Sequence, residues 1–229
     1  MKEKLKAEKQ KWKELNGKQK LQYFKDYYLF PVCIVVVVLI FVGNMVWHTF
    51  LKPEEKNVLY AAVIDEALDE EKRDQAASEF EAILGADGKT EHVYIDDALY
   101  LNDSNMLMKL QVYISCGQID VMIMDREAFQ EYAGNGSFIS LDELTDEDLS
   151  EKYGQEYEYA AGYLETDEIT VEDNESGKGE VKAYGLSLSG DNRFTEMAEG
   201  YIENPVFAVV TSSANTENAL RFLDYLLAA

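Results

Sequence analysis

The feature that most constrains this chain is a run of 21 residues, 31–51, without a charged side chain. As a helix it is roughly 30 Å long, the thickness of a bilayer's hydrocarbon core. Tyr23, Phe24, Tyr27, Tyr28 and Phe30 precede it, and Trp47 and Phe50 stand near its end. Such rings prefer the headgroup level and read as two interfacial belts. The helices buried in soluble proteins rarely run this long uncharged. A cleaved signal peptide leaves through small residues, whereas Met45, Val46, Trp47, Phe50 and Leu51 make this exit bulky. Cys33 opens the apolar run instead of closing it, which does not suit a lipoprotein cysteine. The run therefore reads as one transmembrane helix, a retained signal anchor.

Charge sets its orientation. Residues 1–30 hold nine lysines and four acids, a net of +5, and residues 52–229 hold 12 basic and 40 acidic side chains, a net of −28. Lys11, Lys13, Lys18, Lys20 and Lys25 lie before the run, with only Lys52 and Lys56 close behind it. The positive-inside rule puts the N-terminus in the cytoplasm and the acidic domain outside, in a single-pass cell-membrane protein. In the arm, Trp12, Leu15, Leu21, Phe24 and Tyr28 recur three and four apart between lysines, broken at Asn16 and Gly17. That pattern is an amphipathic surface helix, so residues 12–51 are expected to meet membrane lipid. So acidic a chain lacks the basic footprint of a nucleic-acid binder, and 47% hydrophobic residues is too many for a disordered polyanion. Cys33 and Cys116 fall on different sides of the tether and cannot pair, so the outer domain must rely on its core.

Beyond a tether at 52–57, the domain at 58–229 alternates strand and helix. Residues 58–64, 92–95, 119–124 and 206–210 are β-rich runs. Helical spacing covers 69–84, stopped by Gly85, and 105–116, capped by Asp103 or Ser104 and stopped by Gly117. It also covers 126–133 and 216–227, the latter capped by Asn215. Such alternation predicts a parallel sheet with right-handed crossovers. Residues 142–180 break the rhythm with 15 acids and two lysines, interleaved with Tyr153, Tyr157, Tyr159 and Tyr163. They read as an acidic insertion, with hairpin-like strands near 169–171 and 181–186.

Two stretches carry a resemblance. One is Ile119-Asp120-Val121-Met122-Ile123-Met124-Asp125, a helix, and then Gly136-Ser137-Phe138-Ile139-Ser140-Leu141-Asp142-Glu143-Leu144. The other begins at Phe207 and includes Asn215-Thr216-Glu217-Asn218-Ala219-Leu220-Arg221-Phe222-Leu223. Together, over about a quarter of the domain, they resemble the first lobe and the closing strand and helix of type 2 extracellular solute-binding proteins. The Lys- and Tyr-rich entry to the membrane is similar to that of membrane-anchored proteins of Gram-positive bacteria. The resemblance implies a three-layer αβα fold, a parallel sheet with one antiparallel strand, as a single binding-protein-like lobe preceded by one transmembrane helix. Residues 57–229 suffice for one lobe, whereas a clamp needs two domains of ~100–150 residues each. Transport therefore does not carry over by analogy.

Chemistry is sparse. The domain's one histidine, His92, opens a strand, and no nucleophile-elbow, zincin, P-loop or dinucleotide motif occurs. Cys116 lies on an apolar helix face, where a buried, inert thiol is expected. No enzyme activity and no cofactor is expected. Ligands of open α/β sheets bind beyond the carboxyl ends of the strands. Those ends carry Asp65 and Glu66, Asp96 and Asp97, and Asp125 and Arg126. With strand order 2-1-3 these would share one rim, suited to a hard cation or a basic protein partner. The competing reading is that the acids cap the helices that follow. The expected function is a non-catalytic extracytoplasmic binding domain, with a solute-binding component of an ABC uptake system as the alternative.

Overall fold

The computed structural model describes residues 16–27, 29–47, 55–164 and 175–227. The chain divides into two compact units, 1–54 and 55–229. In the first, helix α1 (Gly17–Tyr27) is followed by α2 (Leu29–Val46), which carries no charged residue and buries none of its side chains. This helix begins two residues earlier than the predicted span, and the span's last four residues, 48–51, lie outside the described residues.

The second unit is built on β1 (Lys56–Ile64). Six of its nine residues are buried, as a strand covered on both faces requires. Side chains alternate across a sheet. Leu59, Ala61 and Val63 thus enter one core, while Tyr60, Ala62 and Ile64 enter the other. Helix α3 (Glu70–Leu84) follows, capped by Asp69, which accepts from the Lys72 amide at 3.0 Å. Gly85 ends it in the left-handed conformation, φ 73°. Then come β2 (Glu91–Leu99), α4 (Ser104–Ser115), β3 (Val121–Met124) and α5 (Arg126–Gly134), with Asp103 and Asp125 as side-chain caps.

Two short helices, α6 (Leu141–Leu144) and α7 (Leu149–Tyr153), lead into β4 (Tyr157–Ala161). The chain closes with β5 (Val181–Ser187), α8 (Arg193–Met197), β6 (Val206–Val209) and α9 (Thr216–Leu227). The strands form one sheet in the order β2-β1-β3-β6-β5-β4. The β1–β2 and β1–β3 pairs are parallel, and the remaining pairs are antiparallel. The result is a mixed α/β sheet between helical layers, as expected, but two strands, β6 and β4, run against the others where one was expected, because β4 pairs with β5 as a further antiparallel strand at the edge. One core lies under α3, α8 and α9, with Phe80, Phe194, Phe222 and Leu223 at most 1% exposed. The other lies under α4 and α5, with Leu110 and Phe129.

Residues 142–180 do more than interrupt this sheet. Leu149 anchors α7 in the first core, and β4 is a strand that the acidic composition concealed. It alternates all the same, with Glu158 and Ala160 buried and Tyr159 exposed. The strand expected at 169–171 lies outside the described residues. Helix α5 packs closely over β5 because Gly185 has no side chain. A Cβ there would stand 2.5 Å from Val206 Cγ1 and 2.8 Å from the Phe129 ring.

Candidate functional site

The order β2-β1-β3 is the one that a shared rim requires. The side chains at the strand ends are nevertheless each engaged by the fold. Glu66 follows β1 and is fully buried. Its Oε1 accepts from the amides of Ala67, Gly200 and Tyr201, each at 3.1 Å, and its Oε2 accepts from the Ile202 amide at 3.0 Å. The segment entering this cradle is tied down independently, by Asp69 N–H to Met197 O and Glu199 N–H to Ala67 O. The chain's own backbone thus covers the end of β1. A buried carboxylate needs several donors, and four amides supply them without a cation.

Asp65 lies beside it at φ 55°, a left-handed conformation that Asp tolerates better than most residues. Its Oδ1 accepts from the Leu101 amide at 2.9 Å. Asp125 accepts from the Ala128 amide at 2.7 Å, as a helix cap. Arg126 forms an ion pair with the buried carboxylate of Glu158, tying the start of α5 to β4.

Asp96 and Asp97 are not beyond the end of β2 but inside it, since the strand runs four residues further than expected. A register shift between Ala62 and Ile64 against Asp96 and Leu99 marks a bulge here. Successive side chains point to opposite faces, and the two aspartates separate accordingly. Asp97 turns toward α3, accepting from Arg73 Nη1 at 2.9 Å and the Leu68 amide at 3.0 Å. Asp96 turns toward α4, accepting from Tyr60 Oη at 2.6 Å and Lys109 Nζ at 2.8 Å. Burial works to raise the Asp96 pKa, but the Lys109 and Tyr60 bonds outweigh it and hold it below the usual value. Burial and the Asp96 bond push the Tyr60 hydroxyl far up. The structure thus leaves Asp96 on the face opposite Asp97. Among the described residues no three His, Cys, Asp or Glu side chains converge on a point that could hold a metal ion.

A further buried and well-bonded acid is one the rim did not include. Asp120 is 1% exposed at the opposite end of β3. It accepts from the Tyr60 amide at 2.8 Å, Ser213 Oγ at 2.6 Å and Asn215 Nδ2 at 3.2 Å. An acid inside an apolar run must be bonded in this way, and that is the signal by which the sequence marks it. Asn215 thus donates its side-chain amide to Asp120 while its carbonyl starts α9 by accepting from the Ala219 amide. His92 lies 3.6 Å from Glu81 Oε1 at the edge of the sheet. Cys116, expected to be buried, is exposed because α4 buries only Leu110 and ends with Cys116 turned outward.

The remaining concavities are grooves between elements. A groove of about 590 Å³ runs along β4 and β5, where Asp142, Asp146, Glu147, Asp148 and Glu180 face Lys182. A smaller one, about 360 Å³, lies between α3, α8 and α9, where Arg193 stacks 4.4 Å over the Tyr225 ring.

No family model matches the sequence, and no curated protein matches it. Two solved structures are similar to it. One is an extracellular solute-binding protein family 1 member from Alicyclobacillus acidocaldarius subsp. acidocaldarius DSM 446, with 19% identity, TM-score 0.35 and coverage of 62% of this chain and 30% of that one. The other is the ABC substrate-binding protein Lmo0181 from Listeria monocytogenes, solved with cycloalternan, with 18% identity, TM-score 0.35 and coverage of 60% and 30%. The matched part of this chain thus corresponds to 30% of the length of each.

Proposed function

We propose that this chain is a single-pass membrane protein whose acidic α/β unit is a non-catalytic binding domain on the outer side. The observation that carries the reading is α2, an uncharged helix of 18 residues with no residue buried among the described residues. An apolar helix with exposed side chains is stable where its surroundings are apolar, and a bilayer is such a place. Residues 12–51 then meet membrane lipid, with the lysines of the arm at the cytoplasmic face. Binding rather than catalysis is supported by the strand ends, where the acids that a reaction would use hold backbone amides and neighbouring cations. A basic protein or a cation is the chemistry that a unit of this charge attracts.

Cys116 supplies the test. Its exposed thiol should react with a membrane-impermeant maleimide on intact cells expressing the full chain, and Cys116→Ser should abolish that signal. Labelling that requires lysis would overturn the topology. The second reading, capture of a solute for an ABC uptake system, is favoured by the pattern from Asn215 to Leu223. It predicts a saturable thermal shift with one neutral solute, unaffected by salt.

A further inference from the structure

The two edges of the sheet are finished differently. On β2 the edge is blunted: Glu81 Oε1 accepts from the Val93 amide at 2.9 Å, Asp87 Oδ1 accepts from the Glu91 amide at 3.1 Å, and a bulge distorts the strand at its far end. Exposed strand edges invite pairing, and caps and bulges of this kind suppress it. On β4 the hairpin partner β5 takes one side, and the register shift between Glu158 and Tyr159 puts its extra residue, Tyr184, on β5 and not on the edge strand. Gly162 donates to Glu180 and accepts from Gly179, so it faces β5. Donors alternate along an antiparallel pair, which turns the amides of Tyr159 and Ala161 outward. Among the described residues the outer side of this strand is met at one carbonyl, Tyr159 O, by Gln130 Nε2 at 2.8 Å. Neither proline nor lysine interrupts β4. Apolar side chains stand exposed along the same hairpin, Tyr159 at 57%, Tyr163 at 49% and Val181 at 63%.

The groove that runs over the β4–β5 face, reached from this edge across Tyr157 and Tyr159, gives the occupant its charge. Five carboxylates and one ammonium line it. Lys182 is already paired with Glu143 at 2.9 Å, and Glu147 with Lys152 at 2.9 Å. Asp148 caps α7 through the Glu151 amide. Asp146 and Glu180 are exposed. A second copy of this chain would bring the same acidic surface to the edge and be repelled. An extended segment rich in lysine or arginine would instead complete the ladder with its backbone and set alternate cations over the groove.

We propose that the outer edge of β4 is a docking site for a basic, extended peptide segment of a protein partner, which binds by adding a strand to the sheet. The proposal rests on the reading of this unit as a binding domain and names its surface and mode.

The probe is a short fluorescent peptide of alternating Lys and Val, added to the full chain in detergent micelles. Its binding should be saturable and weaken as salt rises. A peptide with Glu in place of Lys should not bind. The Lys-Val peptide N-methylated on the amides of one edge should lose about tenfold or more in affinity, because strand addition needs those donors. Ala161→Pro should do the same from the protein side. Hydrogen exchange on the unmodified chain covers the case in which that variant misfolds: the Tyr159 and Ala161 amides should gain protection on binding. Equal affinity for the methylated peptide, protection confined to β2, or no binding of the Lys-Val peptide would each overturn strand addition at β4. None of these results bears on the labelling of Cys116, so this proposal and the topology fail separately.

Discussion

Asp96, 4% exposed between a hydroxyl and an ammonium, ties the response of the domain to acid to one geometry. Its folded pKa lies below the ordinary 3.8. A depressed folded value means that the stabilisation is complete above the unfolded pKa and is lost as pH falls through the folded one. Urea midpoints should therefore be level near neutrality and fall below about pH 4, and Asp96→Asn should shrink that fall. Lys109→Met keeps the stem and removes the charge, leaving the buried carboxylate short of a partner. The expected cost is about 1–3 kcal/mol in urea unfolding, discounted because the lysine is a third exposed. A change below ~0.5 kcal/mol would show that Tyr60 and the Ala98 amide, which donates to Asp96 Oδ1 at 3.1 Å, suffice. Asp125 was legible as a cap from its place before a helical run. Glu66 was not, because its four donors include three from residues 200–202, more than 130 positions along the chain.

Among the elements, α9 and β5 carry the sharpest expectations. The spacing of helix α9 turns Ala219, Leu220, Phe222, Leu223 and Leu226 inward; four of them are at 0% exposure, Leu220 is only partly buried, and Tyr225 is buried as well. Leu223→Ala should cost about 2–5 kcal/mol, read from the midpoint of chemical unfolding. A cost near zero would mean that the helix does not pack on the sheet as described. Strand β5 poses the opposite problem, overpacking. Gly185→Ala puts a methyl group against Val206 and Phe129 and should cost about 1–3 kcal/mol. The measurement is the same, and an unchanged midpoint would show that α5 can move outward at no cost. Strand β4 was hidden because its sequence alternates a charge with tyrosines in a segment dominated by acids. Glu158 reads as solvent-facing until Arg126 is placed beside it.

At the scale of the whole molecule, the two cores on either side of one sheet predict that residues 55–229 fold without α2. They should give a cooperative thermal transition that neither a reducing agent nor a chelator shifts, because the core needs no disulfide and no metal. A shift on chelation would reveal a bound cation and return the acidic rim to consideration. The sequence by itself determined what depends on local period and local charge: the apolar span, its flanking lysines, the alternation of strand and helix, and a cap at Asp103 or Ser104. Tertiary structure alone decided which groups the acids of the rim meet. A strand turns neighbouring side chains to opposite faces, so Asp96 and Asp97 each met a different helix. A buried carboxylate draws donors from wherever the chain returns, so Glu66 closed over the segment at 200–202. The outer position of β4 likewise became visible only when the strands were set in order.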